Sequence, residues 1–200
     1  MKRTGIFGGS FDPVHSGHVR YANFICDKLD LDELIIIPAK LSPFKKTNSV
    51  SDNDRLNMCR LVFTDKRMTV SDTEIRRGGV SYTVDTVREL KRQSPTDGLY
   101  LFVGGDQLMS FDRWRCFDEI LASTVLVAVK RDDSVSREEL ESFADSRLRR
   151  YGKVEIIDFI PFDVSSTEIR ERLEKGLSIS GLVPEEAEKY ILRGGLYRDI

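Results

Sequence analysis

Short apolar runs alternate along the chain with stretches in which apolar residues return every three or four positions, the pattern of repeated strand–helix–strand units around a mainly parallel sheet. Strands are predicted over Thr4 to Gly8, Glu33 to Pro38, Met68 to Ile75, Leu99 to Val103, Thr124 to Lys130 and Val154 to Phe159. Helices are predicted over His18 to Leu29, Asp52 to Thr64, Tyr82 to Gln93, Phe117 to Ala122, Ser136 to Tyr151, Thr167 to Lys175 and Pro184 to Leu192. In the first of these, Val19, Ala22, Cys26 and Leu29 fall on one face, as a helix lying on a sheet requires. Lys40 to Asp54 is polar, interrupted by Pro43 and without periodicity, and reads as a long mobile loop. No low-complexity linker or internal repeat breaks the pattern. The expected fold is therefore one doubly wound α/β domain over residues 1–200, its mainly parallel sheet flanked by helices, with a helical C-terminal portion from about residue 166.

Composition narrows the partners. With 31 Lys plus Arg against 33 Asp plus Glu, the net charge of -2 lacks the basic excess that duplex nucleic acid or an anionic membrane selects. Cys26, Cys59 and Cys116 are odd in number, far apart and not arranged as CxxC, which argues against a disulfide framework or structural zinc and fits a reducing cytoplasm. The N-terminus reaches Gly5 before an apolar signal region could form, and no run approaches the ~18 apolar residues of a membrane span. A homo-oligomer is left open.

The chemistry concentrates in "GGSFDPVHSGH", residues 8–18, which holds both histidines of the chain between a predicted strand and a predicted helix. In open α/β sheets, ligands sit beyond the carboxyl ends of the strands, where helix N-termini offer N–H groups to anions. Gly8 and Gly9 let a phosphate approach the backbone with no Cβ in the way. Neither GxGxxG nor GxxxxGK[ST] occurs, so the dinucleotide fingerprint and the P-loop are both missing. His15 and His18 can aim two N–H donors at one phosphate, stabilising charge that moves from an α-phosphorus to departing pyrophosphate. The plainer reading of the pair is a helix cap plus a satisfied core residue. A zinc site would want a third ligand and the glutamate of HExxH. A second cluster, "VSSTEIRERL" at residues 164–173, offers the N-cap types Ser165, Ser166 and Thr167, with Arg170 one turn inside a helix and within reach of a phosphate.

Taken as strings, "GSFDPVHSGH" resembles the (H/T)xGH signature of the nucleotidyltransferase superfamily, and "SSTEIR" resembles its SSTxIR element. "GGVSYTVDTVREL" (78–90), "FVGGDQLMSFDRWRCFDEIL" (102–121) and "GGLYR" (194–198) extend the likeness over nearly the whole chain to the bacterial nicotinate-nucleotide adenylyltransferases. The resemblance implies a Rossmann-like enzyme that transfers AMP from ATP to nicotinic acid mononucleotide, giving deamido-NAD and pyrophosphate, with Mg²⁺ carried on ATP and no metal held by the protein. It implies catalytic roles for His15, His18 and Arg170, and ATP contacts at Gly8, Gly9, Ser10, Phe11, His15, Gly17, His18, Gly104, Asp106, Ser165, Ser166, Thr167 and Arg170. It further implies that Ser81, Tyr82 and Thr83 receive the nicotinate carboxylate at a helix N-terminus, and that Trp114 stacks on the pyridinium ring. Physically, a helix start suits a carboxylate and an indole face suits a cationic ring.

Two positions depart from the family pattern. Phe44 stands where a histidine is usual, leaving Lys45 or Lys46 to supply charge from that loop, and Arg115 replaces the usual tyrosine after the tryptophan. The competing readings are another acceptor (nicotinamide mononucleotide or phosphopantetheine), a nucleotide-binding regulator without turnover, and an NAD-dependent oxidoreductase, the last disfavoured by the missing GxGxxG.

Overall fold

In the computed structural model, which describes residues 1–43, 47–130, 135–160 and 162–198, six strands form one sheet in the order β3-β2-β1-β4-β5-β6. They are β1 (Arg3–Gly9), β2 (Glu33–Pro38), β3 (Met68–Val70), β4 (Gly98–Gly104), β5 (Val125–Lys130) and β6 (Val154–Asp158). Every pairing is parallel. The near-continuous apolar runs of β2, β4 and β5 follow from that arrangement, because a parallel sheet is covered on both faces.

Nine α-helices are seen among the described residues: α1 (Ser16–Lys28), α2 (Asp52–Val62), α3 (Thr73–Arg77), α4 (Thr83–Gln93), α5 (Gly105–Leu108), α6 (Phe117–Ser123), α7 (Arg137–Phe143), α8 (Ser166–Glu174) and α9 (Glu185–Gly194). On one face of the sheet the helices contribute Ala22, Ile25, Cys26, Met58, Cys59, Ile169, Ala187 and Ile191 to a buried cluster. On the other, Val84, Val87, Ile120, Leu121, Leu140 and Leu148 form a second. The strand order reverses direction between β1 and β4. Their carboxyl ends, Gly8–Gly9 and Gly104, therefore flank the crevice where such sheets bind ligands.

Three expectations from the sequence are corrected. The run Met68 to Ile75 is a strand only to Val70; α3 follows, because the amide of Ser71 still donates to Ile36 O but Thr73 and Glu74 are buried and bonded to Glu89 and Thr86. Ser136 to Tyr151 is not one helix, since α7 gives way to a π turn at Ala144–Leu148. Within Lys40 to Asp54 the last residues already belong to α2, and the described loop residues are tied down: Asn48 Nδ2 donates to Lys40 O (2.8 Å), the Ser49 amide to Asp12 Oδ2 (2.8 Å), and the Lys40 ammonium pairs with Asp52. Phe44, Lys45 and Lys46 lie outside the described residues.

One close approach makes a stability prediction. A Cβ built on Gly152 would lie 2.1 Å from Leu121 O, a backbone atom with no rotamer to escape into. Gly152→Ala is expected to destabilise the fold by about 1–3 kcal/mol, the usual cost of overpacking. Urea unfolding measures it, and a wild-type midpoint would refute the contact.

Candidate active site

The candidate site begins where β1 runs out. Nothing lies within 4 Å of a Cβ built on Gly8, so the backbone there faces open space, whereas one on Gly9 would touch the Phe11 ring at 3.0 Å. Phe11 takes up a left-handed backbone (φ 48°), uncommon for a side chain of that size, and is 1% exposed. Its ring meets Phe7 edge-on at 5.3 Å and His18 at 5.0 Å. The Phe11 side chain is thus buried and packs against His18.

His15 is the N-cap of α1 and His18 its third residue, and they cap one another. The His18 amide donates to His15 Nδ1 (3.3 Å) and the His15 amide to His18 Nδ1 (3.2 Å). The two rings stack with centroids 3.7 Å apart. Because each Nδ1 accepts, a neutral ring carries its proton on Nε2, which gives two N–H donors side by side. The capping and phosphate readings of the pair are therefore compatible: the cap uses Nδ1 and the phosphate chemistry needs Nε2. The glycine between them has a packing reason, since a Cβ on Gly17 would press on His15 Nδ1 at 3.0 Å and Val164 Cγ1 at 3.2 Å.

The SSTEIR segment lies against this turn. Ser165 caps α8 by accepting from the Glu168 amide, Ser166 Oγ donates to Pro13 O (2.9 Å), and Arg170 Nη1 donates to Asp12 O (2.6 Å) while Nη2 reaches Thr167 Oγ1 (3.1 Å). Thus His15, His18, Ser166 and Arg170, read from opposite ends of the sequence, converge on one turn.

Behind the turn stand residues to which the sequence reading gave no role. Asp12 is 2% exposed; its carboxylate accepts from the Ser49 amide and from the Tyr197 hydroxyl (3.1 Å), placing "GGLYR" against the phosphate turn. Burial, and then the Asp12 charge, push the Tyr197 phenol well above its usual range. Arg55 is fully buried, with Nη1 donating to Ser10 O (2.7 Å) and Nη2 to Asp52 Oδ1 (2.6 Å). Burial alone would raise the pKa of Asp52, but hydrogen bonds from Lys40 and Arg55 outweigh it and hold the carboxyl below its ordinary range. The signal for Arg55 was present in the chain: it occupies the same helical stripe as Met58, Cys59 and Val62, where an apolar residue is expected.

Beside Gly8, Gly9 and Ser10 opens a cavity of about 600 Å³. Its far wall is the start of α4 with Tyr82 and Thr83, and its rim carries Arg113, Trp114 and Arg115. Trp114 is half-buried and packs on Phe111 at 4.8 Å. No side chain caps the first turn of α4, whose N-cap is Tyr82. Ser81 is engaged already: its amide donates to Leu41 O and its hydroxyl accepts from the Lys40 amide, both 2.9 Å. The Ser81 amide and hydroxyl are thus both engaged, whereas the α4 start at Tyr82 and Thr83 has no side-chain cap. Gly104 is buried at the end of β4, where its amide donates to Gln107 Oε1 (2.9 Å), and Asp106 is exposed on α5 outside the cavity lining.

The cytidylyltransferase-like family matches residues 6–172. The "Probable nicotinate-nucleotide adenylyltransferase" of Gemmatimonas aurantiaca is 39% identical over 198 residues, covering 98% of this chain and 93% of the relative. The protein of the same name from Clostridium tetani is 36% identical over 202 residues, covering 99% and 100%. Among solved structures, Plasmodium falciparum nicotinic acid mononucleotide adenylyltransferase complexed with NaAD superposes with a TM-score of 0.80 at 20% identity, over 98% of both chains, a likeness of fold.

Proposed function

Since this chain belongs to the cytidylyltransferase-like family and, over nearly its whole length, to the nicotinate-nucleotide adenylyltransferases, we propose that it transfers AMP from ATP to the 5′-phosphate of nicotinic acid mononucleotide. The observation that carries this reading is the docking of α8 on the histidine turn, through Ser166 to Pro13 and Arg170 to Asp12, next to a cavity that ends at an uncapped helix start. A phosphoryl site and an acceptor site thereby share the Gly8–Ser10 backbone.

In the proposed reaction an oxygen of the acceptor phosphate attacks the α-phosphorus of ATP, the bond to the bridging oxygen breaks, and pyrophosphate leaves. The nucleophile is already an anion, so the site needs no strong general base. It must align the two phosphates and stabilise the departing charge. The Nε2–H groups of His15 and His18 donate to the phosphates as charge shifts, and Arg170, with the start of α8 at Ser165 to Thr167, holds the β- and γ-phosphates. Asp106 and Gly104 face the nucleoside, with the Asp106 carboxylate accepting from ribose hydroxyls. A divalent cation arriving with ATP, for which we propose Mg²⁺, would supply charge neutralisation at the departing pyrophosphate beside His15, His18 and Arg170. The open space beside the Gly8 backbone leaves room there for a phosphate to approach. No described helix is long and apolar enough to cross a membrane. The three free thiols suit a reducing cytoplasm, where we place the activity.

At the acceptor end, the Tyr82 and Thr83 backbone receives the nicotinate carboxylate and Trp114 lies against the cationic ring. A carboxylate at a helix N-terminus gains ~0.3–2 kcal/mol over a neutral amide, and charge-assisted hydrogen bonds add to it, so kcat/KM is expected to favour nicotinic acid mononucleotide over nicotinamide mononucleotide by ~100-fold or more. Pyrophosphate release with the two mononucleotides side by side measures the ratio. Equal use would overturn the acceptor assignment and leave adenylyl transfer standing.

A further inference from the structure

Arg115 takes no part in the reaction just described, yet it stands on the rim of the same cavity as Tyr82, Thr83 and Trp114. Its guanidinium carbon lies 4.8 Å from the centroid of the Tyr82 ring. The side chain is exposed, and among the described residues it forms no ion pair. Glu74, which also lines the cavity, accepts from the Thr86 hydroxyl (2.6 Å). Tyr82 is itself the N-cap of α4, and no side chain caps the turn that follows. A cation lying over the Tyr82 ring and the positive end of a helix thus meet at one edge of the cavity.

The electrostatics of that edge are selective. Trp114 offers a face that attracts a cationic ring, whereas a guanidinium repels one. A cation here weakens binding of a positively charged pyridinium unless the ligand also carries an anion on that side. We propose that the Arg115 guanidinium is a specificity-determining group that pairs with the carboxylate of a pyridine-3-carboxylate acceptor and disfavours the neutral carboxamide. The proposal rests on the reading of the α4 start as the acceptor end and adds to it a side chain whose effect is separable from the backbone donors. The planar fork suits two-point contact with a carboxylate, and its exposure makes the pairing sensitive to salt.

The test compares pyrophosphate release from nicotinic acid and nicotinamide mononucleotides in the wild type and in Arg115→Gln, Arg115→Lys and Arg115→Glu. For Arg115→Gln the ratio of the two kcat/KM values is expected to fall about tenfold, through the acid acceptor, with the lysine variant intermediate and the glutamate variant lowest. The ratio should also decline with added salt more steeply in the wild type than in Arg115→Gln. An unchanged ratio in Arg115→Gln, or an equal fall with both acceptors, overturns the proposal while a selective wild type keeps the acceptor reading. A wild type that does not prefer the acid overturns both.

Discussion

Replacing His18 by alanine is expected to lower turnover by ~10²-fold or more, the usual effect of removing one donor that acts on transition-state charge. Two things are lost in that variant: the Nε2–H donor, and the Nδ1 acceptor that caps the His15 amide. The cap alone is worth about 0.5–2 kcal/mol of stability. His18→Glu separates the two effects, because a glutamate at the third helical position accepts from the N-cap amide as in an ordinary capping box and carries no N–H donor. Melting of the glutamate variant should approach the wild type while its pyrophosphate release does not exceed that of the alanine variant. Near-wild-type turnover in either variant would remove His18 from the chemistry.

The largest effect on stability is expected at Arg55. Arg55→Met strips Ser10 O and Asp52 of their donors and leaves the acid with Lys40 alone, in a place where the guanidinium is fully buried. Breaking a buried pair by removing one partner costs about 3–5 kcal/mol. Urea unfolding at neutral pH measures this, and a loss below about 1 kcal/mol would mean that the methionine stem replaces the pair by packing. The pH dependence follows from Asp52. Its folded carboxyl lies below the ordinary range, so its share of stability is present above the unfolded pKa and disappears as pH falls through the folded one. The gap between wild type and Arg55→Met should therefore narrow in acid.

The strand–helix alternation was legible because a parallel sheet covered on both faces needs whole runs of apolar residues, as in "ELIIIP" and "VLVAVK". It failed at Ile75, where an apolar residue after a true strand extended the run on paper. There the buried positions are the polar Thr73 and Glu74, which hydrogen bonds satisfy and hydropathy cannot see. The histidines, the SSTEIR segment and the α4 start stand out in the sequence by residue type, as groups suited to the proposed phosphate and carboxylate chemistry. Their mutual placement was not, because Ser166 and Pro13 are brought together only by the crossover order of the sheet. Ser81 shows another limit: its position at the helix start is readable, but the use of its amide by Leu41 and of its hydroxyl by Lys40 depends on a loop with no periodic signal. Asp12 and Tyr197 escaped assignment for the same reason, each being polar, buried and paired with a partner far along the chain.

That pairing bears on the timing of synthesis. Asp12 and Tyr197 are separated by 185 positions, so the turn that carries the histidines leaves the ribosome long before the hydroxyl that gives it this hydrogen bond. A nascent chain can lay down β1, α1 and β2 early, as domains assembled in order do, yet the Asp12 carboxylate must wait for the Tyr197 hydroxyl. A copy cut short by a premature stop at any position from 171 to 197 would carry every group proposed to face phosphate and still have an unfinished turn. A later stretch of the message thereby decides when an earlier one becomes useful.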